Sequence, residues 1–337
     1  MRRVLCSLIA LAFLSFAGVP AEAGTTRLSY SCFFPPTHVQ SQLAEAWCRE
    51  VEQRTQGQVK IDYYPGGTLT QAKQCYDGVV EGISDMGFSA LAYSRGRFPV
   101  MAAVDLPLGY TSGMAATNVA NSVYRHFHPK ELQDVEVMYF NAHGPGLLHT
   151  RETPVTTLEQ FAGLKLRATG NSALLVQALG GTPVAQSMPE AYQSIQKGIV
   201  DGGMYPVETN KGWKMAEVVD YMTENYATGY TTTFFVVMNK DRWESLPAEV
   251  RTTIQEINAE WIVKHGNAWD EADKAGRQAF LEAGNQILPL EEAEAKRWRA
   301  ATTPLLEQYI QEVRPKGVDG EAVLQFTQEA LRTAQQQ

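Results

Sequence analysis

The chain has 337 residues, with 29 Lys and Arg against 37 Asp and Glu, a formal charge of −8, and 44% hydrophobic residues. A mildly acidic chain without a basic stripe excludes nucleic acid and anionic membrane surfaces as partners. The length exceeds one typical hydrophobic core, so two lobes are expected.

Residues 1–23 read as a secretory signal. Arg2 and Arg3 precede an apolar run over 4–19, and Ala21-Glu22-Ala23 is a small-x-small cleavage site. The apolar run is short for a membrane span, and Cys6 lies near its start rather than at its end, badly placed for lipid attachment. Cleavage removes Arg2, Arg3 and Glu22 and leaves 27 basic against 36 acidic residues. No later stretch approaches roughly 18 uninterrupted apolar residues, so the mature chain is expected not to insert into a bilayer.

Residues 26–31 alternate as a strand, 37–53 form an amphipathic helix and 59–64 a second strand. Pro65-Gly66-Gly67 is a turn. A helix over 71–81 and a third strand over 86–90 follow, then helical patterns across 115–127 and a strand over 136–141. The run Ala142 to Gly146 reads as a strand exit and hinge, where glycines absorb backbone rotation. That is a better reading of His143 than catalysis. A second half begins near 147–150.

Within 163–219, Gly163-Leu164-Lys165-Leu166-Arg167 alternates apolar and basic residues, which carries Arg167 to the C-terminal end of a strand. A helix-like run over 172–179 is stopped by Gly180-Gly181. A Pro183-Val184 strand, a helix through Tyr192 and Ile195, and the turn Val200-Asp201-Gly202 follow. Ligands of open α/β sheets sit beyond the carboxyl ends of the strands. A guanidinium there suits a carboxylate, because its rigid fork of donors matches two oxygens. Residues 231–239 are apolar, aromatic and β-branched, a buried strand returning to the first lobe. Residues 248–283 form one very long helix with Val250, Ile254, Ile257, Trp261 and Ile262 on its apolar face.

Cleavage leaves Cys32, Cys48 and Cys75, without zinc-ligand spacing and without CxxC. In an oxidising compartment Cys48 and Cys75 could form a bridge; two buried free thiols are the alternative. GxSxG, HExxH, P-loop and GxGxxG motifs are absent, so enzymatic activity is not expected.

The spacing of several pieces is specific in combination: Leu179-Gly180-Gly181-Thr182-Pro183-Val184, Glu190-Ala191-Tyr192-Gln193-Ser194-Ile195-Gln196, Gly198-Ile199-Val200-Asp201-Gly202, Pro206, and Lys214-Met215-Ala216-Glu217-Val218. With Tyr63-Tyr64-Pro65-Gly66-Gly67-Thr68-Leu69 and Leu246-Pro247, the chain resembles the DctP-type solute-binding proteins of TRAP transporters, periplasmic receptors for organic acids. The resemblance implies an α/β, two-lobed (Venus-flytrap) periplasmic binding protein, with strands crossing between the lobes and a long helix spanning both. The expected division is 1–23 signal, 24–146 with 236–275 as lobe I, and 147–235 with 276–337 as lobe II, which carries the arginine and the C-terminal helices.

In the family that the chain resembles, the arginine at the position of Arg167 pairs with the ligand carboxylate. Some sugar-acid receptors of that family carry a second arginine where Leu147 stands, and an asparagine where Tyr205 stands. Both departures remove polar capacity and point to a compact monocarboxylate with an apolar or aromatic body. Phe33 and Phe34, in the Pro-rich first loop, are expected to cover the ligand or to wedge into the core. His38 reads first as the N-terminal residue of the following helix. Phe88 and Tyr93 are candidate walls. Related keto-acid receptors use an acidic residue and a tryptophan near the positions of Glu208 and Trp213, some with a cation. The two are five apart here, so neither metal nor cofactor is expected. The implied partners are an organic acid and the small and large membrane subunits of a transporter, in the periplasm. A sensory receptor presenting the same solute, a receptor for a small sulfonate, and an exported enzyme are the rivals.

Overall fold

The computed structural model describes residues 24–336; the signal segment read from the sequence lies outside them. Eleven strands among the described residues form two sheets: β1 (Thr26–Cys32), β2 (Val59–Tyr64), β3 (Met86–Ala90), β4 (Val135–Ala142), β5 (Gly146–Thr150), β6 (Lys165–Ala168), β7 (Thr182–Ala185), β8 (Gly202–Pro206), β9 (Tyr221–Glu224), β10 (Thr233–Asn239) and β11 (Gln286–Pro289). The first sheet runs β2-β1-β3-β10-β4 and the second β11-β9-β5-β8-β6-β7. The chain crosses between them at Ala142 to Gly146 and again between β9 and β10.

The crossing strand β10 reads Thr-Phe-Phe-Val-Val-Met-Asn and is antiparallel to both β3 and β4. Phe234, Val236 and Met238 belong to the core on one face, Phe235 and Val237 to the core on the other. A strand covered on both faces needs a continuous apolar run rather than alternation, as this sequence has.

The third crossing is the helix Ala248–Glu282, 35 residues long and about 52 Å at 1.5 Å per residue. It packs on the helices Val39–Arg54 and Gly113–Phe127 beside the first sheet, and on Thr209–Gly212 and β11 beside the second. Its buried polar side chains fix that packing. Trp47 Nε1 donates to Asn258 Oδ1 at 3.0 Å, and Trp269 Nε1 to Asn141 Oδ1 at 3.0 Å. Asp270 caps Gly113–Phe127 by accepting from Gly113 N at 2.6 Å and Met114 N at 3.3 Å. Those amides are orphan donors of a helix N-terminus. One turn on, Asp273 Oδ1 accepts from Glu208 N at 2.8 Å, at the end of β8. Gly276 lets the chains approach, since a Cβ there would lie 2.2 Å from Val207 O.

Two expectations need correction. The C-terminal helix Gly320–Ala334 packs on Gly113–Phe127, and Tyr309, Val313, Val323 and Leu331 share a core with Phe140 and Phe235 of the first sheet. The segment 276–337 therefore does not stay with the second lobe: β11 pairs with β9 there, and the chain returns after Leu305. Cys32, Cys48 and Cys75 are free and buried. Cys48 lies in the core on one face of the first sheet and Cys75 in the core on the other, so the sheet separates them. Burial pushes the Cys32 and Cys75 thiols up to about 12.

Candidate functional site

Leu166 and Ala168 of β6 pack into the core of the second lobe, and strand alternation turns Arg167 the other way. The residue as a whole is 3% exposed. Nε donates to Gln186 O at 3.0 Å and Nη1 to Met204 O at 3.4 Å. Both acceptors are backbone carbonyls; no carboxylate pairs with Arg167 among the described residues. Three of the five guanidinium N–H groups are left over, in a place where an unmatched charge is costly.

The loop after β1 supplies the opposite wall. Phe33 N donates to Phe88 O, while Gly66 N and Gly67 N donate to Phe34 O and Cys32 O, so the Pro65-Gly66-Gly67 turn holds that loop. Phe33 lies between Trp213 and Phe234, with centroids 6.0 Å away on each side and interplanar angles of 21° and 14°. Tyr93 meets Phe33 edge-on at 5.7 Å. Phe33, Phe34, Tyr93, Arg167, Tyr205, Glu208 and Trp213 line one small cavity of about 30 Å³, completed by Met188, Tyr230 and Phe234 with His143 and the hydroxyls of Thr169, Thr209 and Thr232. The walls thus come from both lobes.

Seven of the nine residues singled out from the sequence meet at this cavity; Phe88 and Leu147 do not line it. Phe88 sits on the central strand β3, is 0% exposed and packs edge-on behind Phe34 at 5.1 Å. Leu147 on β5 pairs with Tyr205 of β8 and is also 0% exposed, covered within the core. The sequence reading missed Tyr230, Thr232 and Phe234, which precede or open β10. Their apolar and β-branched run signals a buried strand, and nothing in it marks which faces meet a cleft. The motif residues Gly198 to Gly202 hold the second lobe together instead: Asp201 Oδ2 accepts from Lys165 N at 2.7 Å, bracing β6.

The polar groups of the cavity divide by charge. Burial pushes the His143 imidazole down to about 4, with the Arg167 charge a lesser contribution, so it is neutral near pH 7. Burial also raises the phenols of Tyr93, Tyr205 and Tyr230, against the opposing pull of Arg167, and they remain protonated. The Tyr205 hydroxyl is buried without a hydrogen-bond partner, and its ring stacks on His149 at 4.2 Å. Glu208 is 2% exposed, and its Oε2 lies 2.9 Å from His38 Nε2. His38 keeps the expected role as well: its Nδ1 accepts from Gln40 N at 3.2 Å, capping Val39–Arg54. One cation, one acid, several hydroxyls and aromatic walls suit binding of a small anion.

The lobes touch around the cavity. Tyr93 Oη accepts from Met188 N, Asn171 Nδ2 donates to Ala102 O at 2.8 Å, and Lys73 pairs with Glu190 at 3.0 Å. Gly170, at φ +53°, faces Ala92: a Cβ would lie 2.8 Å from the alanine methyl. Both the backbone conformation and the close approach favour glycine there.

Residues 30–312 match the profile of the bacterial extracellular solute-binding protein, family 7 (DctP). The chain belongs to this family. It is therefore a solute-binding receptor of the TRAP type and not an enzyme. The receptor is similar to the C4-dicarboxylate-binding periplasmic protein DctP of Rhodobacter capsulatus, 28% identical over 324 residues that cover 93% of this chain and 95% of the relative. Among solved structures it is similar to a TRAP periplasmic solute-binding protein of Desulfovibrio salexigens, an open complex. That protein is 33% identical, with a TM-score of 0.80 over 91% of this chain and 96% of the other. A TRAP solute-binding protein of Rhodoferax ferrireducens T118, in complex with copurified benzoate, is 26% identical with a TM-score of 0.87 over 93% and 99%. None of the described helices is long and apolar enough to cross a membrane.

Proposed function

We propose that this receptor binds a small monocarboxylate with an apolar or aromatic body in the periplasm and delivers it to the small and large membrane subunits of a TRAP transporter. The observation that carries the reading is Arg167: a buried guanidinium with no acid partner among the described residues, facing a cavity walled by Phe33, Phe34, Trp213 and Phe234. The benzoate held by the Rhodoferax protein supports an aromatic acid as a member of the ligand class. Arg167 fixes the carboxylate, Tyr205 and Tyr93 offer hydroxyl donors, and selectivity comes from the walls. A missing methylene changes such binding by only roughly 1–3 kcal/mol.

Mass spectrometry of solute released on denaturing the purified receptor identifies candidate acids, and titration calorimetry measures them. Arg167→Ala should lose roughly 2–5 kcal/mol of binding, the cost of enclosing an anion without its partner. Arg167→Lys should recover part of it, because the bidentate fork is absent. Unchanged affinity in the alanine variant removes the assignment.

A further inference from the structure

The cavity holds an acid as well as a cation, and the acid is not neutralised by a second cation. Arg167 and Glu208 line the same space and are 3% and 2% exposed. The partner of Glu208 Oε2 is His38 Nε2 at 2.9 Å. His38 Nδ1 accepts a backbone N–H from Gln40, so it carries no proton. The ring proton must then sit on Nε2, which donates to Glu208 from a neutral imidazole. His38 is held in that orientation by the helix it caps, and by ring contacts with Phe34 at 4.5 Å and Trp213 at 5.8 Å. On its backbone side Glu208 donates its N–H to Asp273, another acid. Glu208 is thus held by a neutral donor, in the wall of the same cavity that Arg167 lines.

From this we infer that Glu208 is a specificity-determining residue that rejects ligands carrying a second carboxylate, so that the receptor takes monocarboxylates whose far end is uncharged. The inference rests on the carboxylate reading of Arg167. A monoanion pairs with Arg167 and presents an apolar or hydroxyl-bearing end to the rest of the wall. A dianion brings a second negative charge into a small, water-poor space beside Glu208, where like charges repel far more strongly than in water. This would set the receptor apart from its C4-dicarboxylate-binding relative.

The test uses pairs of equal shape that differ only in charge at the far end: succinamate against succinate, and 4-carbamoylbenzoate against terephthalate, with benzoate as reference. Titration calorimetry at neutral pH should give at least about tenfold tighter binding of the amide within a pair by the wild-type protein, equivalent to about 1.4 kcal/mol. In Glu208→Gln, which keeps an acceptor for His38, that ratio should fall to within about threefold of unity; thermal unfolding checks that the variant folds. Equal binding of both members by the wild type, or an unchanged ratio in Glu208→Gln, overturns the inference while leaving Arg167 its role. Equal rejection of both members with benzoate bound also overturns it, since shape alone then excludes the dianions. Binding of no carboxylate, benzoate included, removes the reading of Arg167 and this inference with it.

Discussion

The hydroxyl of Tyr93, from the first lobe, accepts the backbone N–H of Met188, from the second, at 3.0 Å. Met188 opens the helix Met188–Gln196, so the bond satisfies one orphan donor of that helix. It exists only while the lobes are together. Tyr93→Phe should therefore destabilise the closed form by roughly 0.5–1.5 kcal/mol and weaken apparent affinity about 2- to 10-fold through the closed population. Asn171→Ala, which loses the bond to Ala102 away from the cavity, should do the same. Small-angle scattering with and without ligand, beside calorimetry, reads both effects. Affinity unchanged in both variants would mean that these bonds do not bear on closure.

Asp105 gives a pH dependence whose sign can be worked out. Its buried Oδ1 accepts from Thr233 N at 2.9 Å and Thr233 Oγ1 at 2.7 Å, beside the point where the chain enters β10. Burial raises its carboxyl to about 7, against the opposing hydrogen bonds from Thr233. A folded pKa above the unfolded value means that the native state keeps a proton the unfolded chain has lost. Stability contributed by this group is thus present in acid, declines as pH rises from about 4 to 7, and is level above. Asp105→Asn keeps the acceptor. It should match the wild type at pH 4 and gain on the order of 1–4 kcal/mol by pH 8. Urea titrations at the two pH values check this, and a pH-independent difference would refute it.

The thiols supply a kinetic readout. With Cys32, Cys48 and Cys75 buried and their ionisation suppressed by burial, a disulfide reagent should label none of them in the folded receptor. All three should react once guanidinium is added, because the thiolate is the nucleophile. Rapid labelling of the native protein would show that the cores open locally. Two thiols missing after unfolding would restore a Cys48–Cys75 bridge.

Much of the frame was legible in the residues. The strands at 59–64 and 86–90 and the helix beginning at Ala248 follow from alternation and 3.6-residue periodicity, and they agree with the fold to within a residue or two. The place of Arg167 on the cavity wall was legible through the family motif around it, since alternation alone fits a surface arginine at a strand end. Phe88 and Leu147 were misread for one reason: a strand-end position does not say whether a neighbouring loop covers it, and Phe34 and the flanking strands do so. The His38–Glu208 pair joins positions 170 apart. No local pattern encodes such a contact, although the capping role of His38 was visible. The Cys48–Cys75 bridge failed because periodicity assigns a helix but not the face of the sheet on which it lands.

Asp270 and Asp273 make the long helix a ruler. One reaches the amides that open Gly113–Phe127, the other the amide of Glu208. Each residue added to or removed from a helix turns everything beyond it by about 100°. A single insertion between the two would therefore swing one carboxylate to the wrong side of the rod, whatever residue was inserted. Substitutions in the walls can retune the cavity gradually, but this interval of three has no intermediate settings. Engineering of the receptor can change side chains of Ala248–Glu282 that make none of these contacts, but not the count between Asp270 and Asp273.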